Sequence, residues 1–276
     1  MNYAGSSVID NRKITTLTLQ EMKRVGKKIV CLTAYDALIG RILDESGIDL
    51  ILVGDSLGNI VQGHETTLPV TLEQTIYHTK AVVNGAKSPF IVADMPFMTY
   101  QVSADEAFRN AGRIMKETGC EAVKLESASE PVLKAIERMN EAGIPAMGHL
   151  GLTPQSIHRF GSYRARGKDP MEAEQIYRDA HLIEDAGAFA IVLEKIPSEL
   201  AKNISESLKI PTIGIGAGPY CDGQILVYTD MLGLTMDFSP RFVRRYALLY
   251  AEIKKAISHY ADDVHNQKFP NEEESY

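Results

Sequence analysis

The chain has 276 residues, 45% of them hydrophobic, and a formal net charge of -7. That length suits one large α/β domain or two small ones with a full core, and the acidic balance disfavours general nucleic-acid binding, which needs a basic face. No apolar stretch approaches the ~20 residues of a membrane span, and the opening MNYAGSSVIDNRK lacks the apolar region of a secretory signal; the expectation is a cytoplasmic protein with no membrane partner.

In chain order, TLTLQEMKRVG reads as an extra N-terminal helix that could cover a barrel floor. Apolar runs of strand length then alternate with segments of helical period. The runs are KIVCLTAYD (28 to 36), DLILVGD (49 to 55), PFIVAD (89 to 94), EAVKLE (121 to 126), IPAMGHL (144 to 150), FAIVLEKI (189 to 196), IPTIGIGAG (210 to 218) and a weaker QILVYTDML (224 to 232). Between them, SADEAFRNAGRIMKETG has Ser103 as N-cap and ends at Gly119, and SEPVLKAIERMNEAG repeats the scheme with Pro131 and Gly143. RFVRRYALLYAEIKKAISHYA reads as a long amphipathic last helix, with loose ends expected at 1–12 and 265–276. Eight βα units in one chain predict a single-domain (β/α)8 TIM barrel over residues 1–276. An open doubly wound sheet is the competitor, but its functional groups gather at one switch point.

Four acids stand where such runs end: Asp55, Asp94, Glu126 and Glu194. In a barrel these ends share one mouth. Lys124 lies two residues before Glu126, so both take the same face of their strand. Three carboxylates and an ammonium in one pocket suggest a divalent metal with an anionic substrate. Singly, Asp55 and Asp94 also read as turn or capping residues, and Lys124 as a structural partner of Glu126. Magnesium prefers oxygen and is usually held by one or two carboxylates, a role Asp55 and Asp94 fit, with Glu126 adding to the shell directly or through water. Zinc would bring His or Cys, and only His149 stands at a strand end. Glu194, between Val192 and Ile196, suits general acid or base work, or else pairs with Lys195.

The three cysteines, Cys31, Cys120 and Cys221, form no CxxC and read as reduced packing residues. Gly214, Gly216 and Gly218 fit close backbone approach as well as phosphate binding. The segment HRFGSYRARGKDP reads as a solvated basic loop or a mobile lid.

The segments VGDSLGNIVQGHETTLPVTLEQTIYHTKAV, DMPFMTY, VKLES, GHLGLTPQS, FGSYRARGK, VLEKIP and IGIGAGPYCDGQILVYTDMLG make the chain resemble the ketopantoate hydroxymethyltransferase family, in the phosphoenolpyruvate/pyruvate barrel superfamily. That resemblance implies Mg2+ and transfer of a one-carbon unit from 5,10-methylenetetrahydrofolate to 3-methyl-2-oxobutanoate through an enolate, giving 2-dehydropantoate. It places metal binding on Asp55, Asp94 and Glu126, substrate binding on Asp55, Ser56, Asp94 and Lys124, and catalytic acid or base work on Glu194. It further implies a homodecamer of two pentameric rings. Ser127 and Lys195 depart from the pattern, where a glycine and a smaller residue are expected. The alternatives are a lyase or mutase of the same superfamily and a non-catalytic metabolite-binding protein.

Overall fold

The computed structural model describes residues 13–236 and 240–276, so the expected loose end at 1–12 lies outside the described residues. Eight parallel strands close into a barrel in sequence order: β1 Ile29–Thr33, β2 Leu50–Val53, β3 Phe90–Asp94, β4 Ala122–Lys124, β5 Ala146–Gly151, β6 Ala190–Glu194, β7 Thr212–Ile215 and β8 Gly223–Leu226. The helices are α1 Thr16–Arg24, α2 Ala37–Glu45, α3 Leu57–Ile60, α4 Leu72–Gly85, α5 Ala104–Thr118, α6 Glu130–Glu141, α7 Ile157–Phe160, α8 Pro170–Asp185, α9 Ser198–Ser207, α10 Tyr228–Met231 and α11 Leu249–His265. No helix among the described residues is long and apolar enough to cross a membrane.

Period-2 alternation sends Leu50, Leu52, Phe90, Val92, Ala122, Met147, Ala190 and Val192 into one buried cluster inside the barrel. Leu19 and Met22 of α1 belong to the same cluster, so the extra helix plugs the barrel floor. Lys23 fastens it there, donating to Asp222 Oδ2 at 2.6 Å and to the Ser205 carbonyl at 2.8 Å. Helix starts follow the capping chemistry: the side chains of Thr15, Asp36, Thr71, Ser103 and Asp169 each accept a backbone N–H in the first turn. One glycine is fixed by close packing rather than by φ, because a Cβ on Gly85 would lie 2.0 Å from the Ala37 carbonyl oxygen.

All eight predicted strands form. Most runs are trimmed by one to three residues at an end, and two boundaries differ by more. The eighth run breaks after Leu226, and its YTDM forms α10. The chain divides at the same place into a barrel unit ending at Leu226 and a second unit, Val227–Tyr276. In that second unit the last helix begins at Leu249, eight residues later than its amphipathic pattern begins. The N–H groups of Tyr246, Leu249 and Tyr250 are spent on the carbonyls of Met231, Leu232 and Gly233, so the chain before Leu249 has no helical ladder to join. Beyond α11, Asn271 caps a short turn at Glu272–Glu274.

Candidate active site

The mouth of the barrel is built by the same alternation that fills its core. On β3, Phe90 and Val92 face inward, so Asp94 two residues on faces inward too; Ala122 does the same for Lys124 and Glu126, Val192 for Glu194, and Met147 for His149. Asp55 arrives differently. Strand β2 ends at Val53, and the chain turns through Gly54, where a Cβ would meet Ser56 Oγ at 2.8 Å and Asp94 Oδ2 at 3.5 Å. This turn brings the Asp55 N–H to Asp94 Oδ2, at 3.0 Å.

Asp55, Asp94, Lys124 and Glu126 are all under 5% exposed. Lys124 Nζ lies 2.5 Å from Asp94 Oδ1 and 3.9 Å from Glu126 Oε1. His149 bridges this group to Glu194: its Nδ1 is 3.3 Å from Lys124 Nζ and 3.4 Å from Glu126 Oε1, and its Nε2 is 3.4 Å from Glu194 Oε2. Thus the structure brings all four acids and the lysine together at one mouth. Ser56 is beside them, its Oγ 2.8 Å from the Tyr35 hydroxyl. Asp55 does not act as a helix cap: its Oδ2 accepts from Gln155 Nε2, at 3.0 Å.

The electrostatics follow from three buried carboxylates sharing one ammonium. Burial, and then the charges of Asp94 and Glu126, hold the Asp55 carboxyl well above the ordinary range. Burial also pushes Glu126 up, to about 7, against the opposing pull of Lys124. For Lys124, burial disfavours the charge, but Asp94, Glu126 and Asp55 outweigh it and raise its pKa. His149 is lowered by burial and by Lys124, so it is neutral at pH 7.

Among the described residues, no three His, Cys, Asp or Glu side chains form a ready-made metal cage. Magnesium does not need one, since waters and substrate commonly complete its shell. The donor set fits it. The oxygens are hard, the negative charge exceeds the positive, and Glu126 Oε1 is buried with no hydrogen-bond partner.

The loops flanking these acids carry the two departures noted in the sequence. Ser127 and Lys195 follow Glu126 and Glu194, with φ of 88° and 47°. Both are in the left-handed region that favours glycine, which explains why a glycine is expected at Ser127. Ser127 Oγ offsets part of that strain by accepting from the Ser129 N–H, at 3.0 Å. Lys195 does not pair with Glu194; its Nζ donates to the Tyr163 carbonyl, at 2.7 Å. Its own carbonyl accepts from Arg166 N–H at 2.8 Å, and Arg166 pairs with Glu172 and covers the Phe160 ring at 4.1 Å. The basic loop is therefore tied to the rim through Arg166. Gly216 and Gly218 also have positive φ, and a Cβ on Gly218 would strike Ser198, so backbone shape accounts for both. The three cysteines are buried and unpaired.

Residues that the sequence left without a role complete the mouth: Tyr35, Tyr100, His149 and Gln155. The available signal was the GHLGLTPQS segment, which carries both His149 and Gln155.

Comparison with known proteins gives the family and the fold. The sequence profile described as ketopantoate hydroxymethyltransferase matches residues 13–272. The chain is 56% identical over 267 residues to the 3-methyl-2-oxobutanoate hydroxymethyltransferase of Chlorobium phaeobacteroides (strain BS1), covering 95% of this chain and 96% of that one. It is 55% identical over 265 residues to the protein of the same name from Christiangramia forsetii, covering 96% and 97%. Among solved structures, a phosphonopyruvate hydrolase complexed with oxalate and Mg++ superposes with a TM-score of 0.63 at 12% identity, covering 95% of this chain and 93% of that one. A 2,3-dimethylmalate lyase, a PEP mutase/isocitrate lyase superfamily member, superposes with a TM-score of 0.60 at 16% identity, covering 90% and 88%. These two show the shared barrel fold.

Proposed function

Since the chain belongs to the ketopantoate hydroxymethyltransferase family, we propose that it transfers a hydroxymethyl group from 5,10-methylenetetrahydrofolate to 3-methyl-2-oxobutanoate, with water, to give 2-dehydropantoate. The observation that carries the reading is the excess of buried carboxylate over ammonium at the barrel mouth, with Glu194 across from it. Asp55 and Asp94, joined by Glu126, would hold Mg2+, which when bound supplies Lewis-acid stabilisation of negative charge on a 2-oxo acid.

The protein's own groups do the rest. Ser56 and neighbouring backbone amides receive the substrate carboxylate. Lys124, fixed by Asp94, offers its ammonium to the oxygen that gains charge as C3 loses its proton. Glu194 moves that proton. Its side chain is 16% exposed while Lys124 and Glu126 are 3% exposed, so it alone of this set can readily trade protons with water. Water adds to the folate methylene and its C–N bond breaks, releasing tetrahydrofolate and a one-carbon unit at the formaldehyde level; the enolate carbon bonds to that carbon, and its oxygen takes a proton to become the new hydroxyl. The same reading implies a cytoplasmic homodecamer. The direct test is product formation from the purified protein, both substrates and Mg2+; no folate-dependent product would refute it.

The raised carboxyls give a pH prediction. Glu126 moves from an ordinary 4.5 to about 7, so between these values the folded state binds more protons than the unfolded. Its contribution to stability without metal therefore falls as pH rises through that window, by on the order of 3 kcal/mol at most. A divalent cation must displace those protons, so its binding tightens over the same range. The rise in Tm on adding Mg2+ to chelator-treated protein is expected to be larger at pH 8 than at pH 6. An equal rise at both would contradict the assignment of Glu126 to the metal site.

A further inference from the structure

We infer that Tyr100 and Gln155 form a positioning pair that holds Asp55 and Glu126 in the arrangement a divalent cation requires, an inference that rests on the functional reading above. Neither residue lies on a strand. Tyr100 belongs to the loop after β3 and Gln155 to the turn after β5, yet both are buried at the mouth. Gln155 grips two acids at once. Its backbone N–H donates to Glu126 Oε2 at 3.0 Å, and its Nε2 donates to Asp55 Oδ2 and to the Met95 carbonyl, each at 3.0 Å.

The direction of every bond in this network is fixed. The Glu126 N–H donates to the Tyr100 hydroxyl, at 3.1 Å. The hydroxyl in turn donates its one proton to Gln155 Oε1 at 2.6 Å, an oxygen that also accepts from Gln101 Nε2 at 3.1 Å. With its oxygen so occupied, the Gln155 amide can present only N–H to Asp55. A flipped amide would set oxygen against the Met95 carbonyl and N–H against Gln101 Nε2, so Tyr100, Gln101 and Met95 together fix the amide orientation that Asp55 meets. Each grip engages one carboxylate oxygen, and on Glu126 it leaves Oε1 without a hydrogen bond, facing Lys124 Nζ at 3.9 Å and His149 Nδ1 at 3.4 Å.

Groups that orient metal ligands from behind typically account for about 10- to 100-fold in metal affinity. The test is Mn2+ binding to the metal-free protein without either substrate, followed by the electron paramagnetic resonance signal of free Mn2+. Tyr100→Phe and Gln155→Met are each expected to weaken binding by about 10- to 100-fold in a protein that still unfolds cooperatively, with Tm lowered by the buried partners left unmatched. The double variant is expected to bind no more weakly than Gln155→Met, because both changes break one chain of bonds. Gln155→Glu, which still accepts from Tyr100 but cannot donate to Asp55, is expected to behave like Gln155→Met. Should Gln155→Met fail to fold, Tyr100→Phe, which removes a single oxygen, decides alone. Unchanged Mn2+ affinity in a folded Tyr100→Phe protein overturns the proposal, as does a wild type that binds no Mn2+. Failure of the functional reading shows separately, as absence of folate-dependent product from a wild type whose Mn2+ titration still reports on the pair.

Discussion

Asp94→Ala is expected to abolish metal-dependent turnover. The carboxylate has two neighbours that depend on it: Oδ2 accepts the Asp55 N–H, and Oδ1 lies 2.5 Å from Lys124 Nζ. Alanine removes a proposed metal ligand, frees the turn that carries Asp55, and leaves Lys124 buried without its nearest counter-charge. Loss of Lewis-acid stabilisation, worth several kcal/mol, corresponds to a fall in kcat of about 10³-fold or more. Breaking a buried pair from one side also costs about 3–5 kcal/mol of stability, so Asp94→Asn is the necessary companion. Asparagine still accepts from the Asp55 N–H but cannot neutralise Lys124 or a cation. Steady-state turnover across a Mg2+ titration, with Tm measured in parallel, checks both variants. Normal activity in Asp94→Ala would remove the aspartate from the chemistry.

Glu194→Gln tests the other side of the mouth. A positioned base typically contributes about 10²- to 10⁴-fold, and kcat is expected to fall by that amount. Glutamine keeps the shape and a hydrogen-bond acceptor toward His149 Nε2, which is 3.4 Å from Glu194 Oε2 in the wild type. Mg2+ affinity is expected to be retained, because Glu194 lies beyond His149 from the three clustered carboxylates. The pattern of a lost kcat with unaltered metal binding separates Glu194 from Asp94, whose replacement removes both. A Glu194→Gln protein that turned over normally would transfer the proton role to another group.

How much of this was legible in the sequence depends on whether backbone periodicity controls the residue. The closed barrel and its floor helix follow from apolar runs and from the Leu19 and Met22 stripe. Asp94, Lys124, Glu126 and Glu194 were visible for the same reason, since each continues the inward phase of its strand. Asp55 stood at the right mouth, but only the turn at Gly54 explains its orientation, because β2 ends two residues earlier. Tyr100 and Gln155 were not legible from periodicity. They sit 26 and 29 residues from their common partner Glu126, in loops where no repeat dictates direction. The pairing that Lys195 offered Glu194 on adjacency alone does not form, because its positive φ turns the side chain toward Tyr163. The onset of α11 was misjudged because amphipathic pattern continues through residues whose N–H groups are already committed to the chain around Met231.

Hydrogen exchange at C3 of 3-methyl-2-oxobutanoate in deuterated water tests the central claim, because it isolates proton removal at the mouth from everything the folate does. The wild type is expected to exchange that hydrogen only with Mg2+ present, to do so without folate, and to form product once methylenetetrahydrofolate is added; Glu194→Gln is expected to slow the exchange by about 10²- to 10⁴-fold. Exchange that proceeds unchanged in the presence of a chelator, or no exchange under any condition, would contradict an enolate formed between Lys124 and Glu194 at a divalent-cation site.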